Sequence, residues 1–221
     1  MTPELGQINR PDADKYSSTR KIFLVPLILY NDDSPDEYKQ KCRRFWLDVM
    51  EQLAHLEMRL GPVRHVYHES ITIGGEQGLA LLDKYNSAGA EITKVRRQSG
   101  AELDVTEDKD AVEEALDWER CLLIGLMSEK VVTIVSTAYT ESLRKRYEFI
   151  SRKIDETLKE NESGLLIISE GHKVQFPKTI EVFVVSPPSL NEIHRYLRDR
   201  PSNVEQSMGT DQPADNIPQG K

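Results

Sequence analysis

Three short segments place Asp, Glu and His directly after apolar runs. Asn31-Asp32-Asp33 follows KIFLVPLILY, His68-Glu69-Ser70 follows VRHVY, and Glu170-Gly171-His172 follows LLIIS. If those runs are parallel strands of one sheet, their carboxyl ends share a rim, which is where open α/β sheets bind ligands. Carboxylates with a histidine suit Mg²⁺ or Mn²⁺, and such ions assist phosphoester hydrolysis. The expected metal ligands are Asp32, Asp33, Glu69 and Glu170, and the candidate catalytic groups are Glu69, Glu170 and His172. A plainer reading stands beside this one. Asp-Asp before Ser34-Pro35 is ordinary turn chemistry, and EGHKVQFPKT could turn an antiparallel hairpin that sends Glu170 and His172 elsewhere. His65 and His68 are three residues apart, which on a strand puts them on opposite faces and not on one metal.

A glycine-rich turn, GGEQG at 74–78, lies between ITI and LALL. Such a turn can aim backbone N–H groups at an anion, helped by the helix dipole, so Gly74, Gly75 and Gly78 are candidate anion-binding positions. The dinucleotide fingerprint needs G-x-G-x-x-G, and the spacing here is G-G-x-x-G. The phosphate loop needs a Lys after its last glycine, and Leu79 stands there. Glu76 also separates Gly75 from Gln77, so the Gly-Gly-Gln tripeptide of release factors is not formed. The simplest account is a turn that needs positive φ, followed by a helix whose first turn favours an acid.

The remaining charged groups look solvated. Arg144-Lys145-Arg146 and Arg152-Lys153 interleave with Glu141, Glu148, Asp155 and Glu156, as on a salt-bridged helix face. RNA or ribosome association through 144–153 is the weaker alternative, and Arg96-Arg97 is a second basic spot. A net charge of −8 and a pI of about 5.3 argue against general DNA binding, which needs basic excess on a surface. No G-x-S-x-G nucleophile motif and no zinc-spaced cysteine pair occurs. Cys42 and Cys121 each sit in an apolar helical pattern and read as free thiols. With no 18-residue apolar stretch and no apolar leader, the sequence predicts no membrane span and a cytoplasmic location.

The elements that must hold these groups follow from periodicity. KIFLVPLILY (21–30) is a strand buried on both faces, with Pro26 arguing for an edge or a bulge. Ser34, Pro35 and Glu37 form a capping-box pattern. After them Tyr38, Cys42, Phe45, Val49, Leu53, Leu56 and Leu60 trace one face of a long amphipathic helix, roughly 35–60. VRHVYHESITI reads as a strand, LALLDKYN as a short helix and EITKV as a short strand followed by a loop. From Thr106 to Met127 the pattern is helical and becomes apolar all round, which predicts a buried end. KVVTIVSTAY leans to helix, and a second long amphipathic helix, roughly 130–162, carries Tyr139, Leu143, Tyr147, Ile150, Ile154 and Leu158 and ends near Ser163-Gly164. LLIIS and IEVFVVS are buried strands, and LNEIHRYLRDR is a last helix.

This order predicts an α/β fold: one small, mainly parallel sheet covered by helices over 21–200, with disordered tails at 1–20 and 201–221. The absence of an intact catalytic motif and the two long helices favour a non-enzymatic module that binds a partner protein, or a second copy of itself, or a small anionic ligand. The Mg²⁺- or Mn²⁺-dependent phosphoester hydrolase is the alternative.

Overall fold

The computed structural model describes residues 19–199. Five strands, β1 (Arg20–Pro26), β2 (Val63–His68), β3 (Glu102–Leu103), β4 (Ser163–Ile168) and β5 (Ile180–Val184), form one sheet in the order β3-β2-β4-β1-β5. Every pairing is parallel. Six helices surround it: α1 (Asp36–Leu60), α2 (Gly75–Tyr85), α3 (Ser87–Gln98), α4 (Lys109–Leu123), α5 (Glu129–Thr157) and α6 (Pro188–Asp199). The α/β class with a parallel sheet is therefore as the sequence predicts. The expected tails lie outside the described residues, apart from Thr19 and Arg20, and Arg20 opens β1.

The continuous apolar runs become the middle of the sheet because both of their faces are covered. Each residue of β4 is buried, and Phe23, Leu24 and Val25 of β1 pair with Leu165, Leu166 and Ile167. One face packs Phe23, Val25, Leu165 and Ile167 against Cys42, Phe45, Val49 and Leu53 of α1, with Ile92 of α3 and Ile193 of α6. The other packs Ile22, Tyr67, Leu166 and Ile168 against Ile150 and Ile154 of α5, and against Leu158 just beyond it. The β4–β5 connection closes that second layer with Val174 and Phe176.

Several local expectations are corrected. β1 is not an edge strand, because β4 and β5 flank it, and Pro26 is tolerated as its last residue. Ser34 does not cap α1; its hydroxyl donates to Asn31 Oδ1 at 2.9 Å, and the helix starts at Asp36. EITKV lies in α3, not in a strand, and Ser163-Gly164 open β4. The β4–β5 segment is not an antiparallel hairpin: it carries the chain across to a strand parallel to its neighbour.

The largest correction concerns the end of α4. The sequence predicts a buried end for the helical pattern over Thr106–Met127, yet Leu123 is 79% exposed, Ile124 73%, and Met127 is fully exposed. α4 and α5 pack on each other, Val112, Ala115 and Val135 are buried on them, and neither core layer draws a residue from α4 or from α5 ahead of Tyr147. The apex of this helical hairpin therefore stands clear of the sheet.

Gly78 marks where α2 leaves the preceding turn. A Cβ there would sit 2.0 Å from the Ile73 carbonyl oxygen, so the backbone itself would have to move. Gly78→Ala is expected to destabilise the protein by about 2–3 kcal/mol, read as a lower urea midpoint at unchanged slope.

Candidate functional site

With all strands parallel, the carboxyl ends of β1, β2 and β4 do face one rim. The structure brings together only part of the predicted set. β2 and β4 are neighbours, and Glu69 Oε2 accepts from the Ser169 backbone N–H at 2.7 Å and from its hydroxyl at 2.5 Å. His172 lies close enough to Glu69 to feel its charge, although burial is the larger influence and lowers the pKa of the imidazole. Its Nδ1 accepts from the Val174 N–H, and its ring meets Phe176 edge-on.

The other predicted ligands lie elsewhere. Glu170 accepts from His194 Nε2 of α6 at 2.7 Å. Asp32 and Asp33 are exposed on the turn after β1, where Lys39 Nζ binds the Asp32 backbone carbonyl at 2.7 Å. β4 separates β1 from β2, which sets their backbones about 10 Å apart at ordinary strand spacing. Asp32 lines a separate cleft of about 270 Å³ with Tyr30, Tyr85 and Asn86. Among the described residues, Asp32, Asp33, Glu69, Glu170 and His172 do not form a group whose ligand atoms could share one ion.

What occupies the rim beside Glu69 is a buried ion pair that sequence reasoning missed. Arg146 of α5 donates to both oxygens of Glu107, at 2.6 Å from Nε and 2.8 Å from Nη2, and its Nη2 lies 3.8 Å from Glu69. Glu107 is buried in the turn between β3 and α4 and also accepts from the Ser70 N–H at 2.8 Å. Ser70 is held at φ 67°, a conformation uncommon for a residue with a side chain. Burial works against the Arg146 charge, but the Glu107 hydrogen bonds and charge outweigh it and hold the guanidinium pKa above its ordinary value. Every oxygen of Glu107 and Glu69 thus has a donor or a cation beside it. The rim is closed by the protein's own groups.

Arg146 had a signal in the sequence. It lies four residues after Ser142 and four before Ile150, and all three are buried on one face of α5. The neighbouring Arg144 behaves as the sequence suggested, pairing with Glu141 and Glu148 on the solvent side. Arg152 and Lys153 both pair with Glu156, and Arg96 and Arg97 pair with Glu57 and Glu76. The basic spots are largely neutralised in place.

Beneath the rim, His68 is fully buried. Its Nδ1–H donates to the Glu69 carbonyl at 2.7 Å, so Nε2 is the lone-pair nitrogen and accepts from Asn86 Nδ2 at 3.1 Å. Asn86 in turn caps α3, accepting from the Gly89 N–H at 3.1 Å. Burial pushes the His68 pKa down to about 4.

The glycine turn is explained by packing. Gly75 adopts φ 63°, Glu76 pairs with Arg97 at 2.7 Å, and a Cβ on Gly74 would meet the Leu103 carbonyl at 3.0 Å. These are the features of a tight turn into a helix. Cys42 and Cys121 are free thiols. Among the described residues no helix is long and apolar enough to cross a membrane.

No protein-family model matches the chain, and no curated protein and no solved structure matches it.

Arg146→Met strands Glu107 without its cation and should cost about 3–5 kcal/mol, whereas adding Glu107→Gln should recover much of that loss in chemical denaturation. His68 stays neutral when folded but ionises near its ordinary 6.5 when unfolded, so the unfolded chain binds more protons between pH 6.5 and about 4. Stability should be full above pH 6.5 and fall by about 3 kcal/mol as pH drops to 4, and His68→Gln should remove that component from the pH profile.

Proposed function

We propose that this chain is a non-enzymatic α/β binding module that associates with a partner protein through the apex of the α4–α5 hairpin. The occupant of that surface is a second copy of the chain. The observation that carries this reading is the cluster of exposed apolar side chains in one place: Leu123, Ile124, Met127, Val131, Val132 and Ile134. Soluble monomers seldom expose contiguous apolar surface beyond a few hundred Å² unless it serves binding.

Charge favours a second copy. The chain as a whole carries −8, which repels like chains, but segment 121–135 holds only Glu129 and Lys130 and is neutral. Two copies can bring these apices together without stacking like charge. The patch spans both helices of a hairpin, so it can meet itself about a two-fold axis. The hydrolase reading has less support, because the carboxylates it requires are dispersed or already bound by Ser169, Arg146 and His194.

Sedimentation of the full chain from ~1 to ~100 µM tests the proposal through mass action. The expected result is a species of twice the 25.3 kDa chain mass that gains population with concentration. Ile124→Glu should weaken the association about tenfold or more at unchanged helical circular dichroism. A monomer throughout the range, or a dimer indifferent to Ile124→Glu and Met127→Glu, would overturn it.

A further inference from the structure

On the α5 side of the sheet, away from the rim and the hairpin apex, one imidazole is surrounded by carboxylates. His65 lies on β2, opposite Glu102 of β3 in the ladder. Asp104, just past the end of β3, places Oδ2 2.9 Å from His65 Nδ1. Glu162, just ahead of β4, places Oε2 3.3 Å from His65 Nε2. The ligand atoms of His65, Glu102 and Asp104 all lie within 4.8 Å of one another.

We infer that His65, Glu102 and Asp104 form a binding site for a divalent transition cation of the zinc type, with Glu162 orienting the imidazole. Two observations carry this independently of the dimer proposal. The first is the donor set. An imidazole nitrogen with two carboxylates suits zinc and its neighbours, whereas Mg²⁺ and Ca²⁺ prefer oxygen alone. Modest side-chain rotation brings the three to the ~2.0–2.2 Å bond lengths of zinc sites.

The second is the group behind the ring. Histidines that bind metal through one nitrogen usually donate the other N–H to a carboxylate or carbonyl, which fixes the tautomer and strengthens the ligand. Glu162 stands in that position. Charge points the same way. Among the described residues, Glu102, Asp104 and Glu162 make no ion pair with Lys or Arg, so three carboxylates share one imidazole.

His65 and Asp104 are mostly buried and Glu102 is exposed, so an ion would enter from the Glu102 side and keep water there. β3 is a two-residue strand, and a bound ion would fasten it to β2.

Calorimetric titration of the metal-stripped full chain with zinc chloride tests the site. The expected result is one saturable equivalent of zinc, with no saturable binding of magnesium at the same concentrations. His65→Gln and Glu102→Gln should each weaken zinc by about tenfold or more, and Glu162→Gln by ~10–100-fold through the ring orientation alone. Glu102 is exposed, so its variant gives the answer even if His65→Gln fails to fold. No saturable zinc in the wild type would overturn the inference. So would affinity unchanged in Glu102→Gln, which would assign the ion to other groups such as Cys121.

Discussion

The buried pair between Arg146 and Glu107 is the constraint on which the arrangement of the second layer depends. Neither charge can leave without stranding the other in a site closed to water, which is far costlier than breaking a surface ion pair. Arg146 sits in the middle of α5, and Glu107 sits in the turn that launches α4. Their contact therefore fixes where both helices of the hairpin start from the sheet. Ser70, drawn to the same Glu107 oxygen, ties the end of β2 to that turn as well.

Two consequences follow from this anchoring. The half of α5 beyond Arg146 lies on the sheet and buries Ile150 and Ile154 there. The half before it packs chiefly on α4, and among the described residues the apex side chains Leu123, Ile124 and Met127 stay exposed. The same anchoring closes the carboxyl rim. The Ser169 hydroxyl and the Arg146 guanidinium stand beside Glu69 there. The rim thus holds helices in place, and among the described residues the apolar apex stays exposed.

The central strands were legible because being covered on both faces leaves a plain mark, a continuous apolar run such as LLII at 165–168. α1 was legible through its three- and four-residue steps. β3 was not, since two paired residues, Glu102 and Leu103, carry no periodicity and owe their state to β2 alongside. The apex failed for a different reason. Periodicity reports which residues are apolar, not what covers them, and an all-round apolar segment looks buried whether its cover comes from this chain or another. At Arg146 residue type misled, because a charge run suggests solvent, while its step of four to Ile150 placed it inside. His65 and Asp104 are 39 residues apart and meet only through the pairing of β2 with β3, so no local pattern could join them.

A second copy seated on the apex of the α4–α5 hairpin would shield the backbone amides there. Amide hydrogen exchange of the full chain, compared between dilute and concentrated solution, reads that surface directly. Exchange is expected to slow on concentration in the peptides spanning 121–135 and to stay the same over α1 and the sheet. Exchange at 121–135 that is indifferent to concentration, or slowing that falls on α1 or α6 instead, would contradict it.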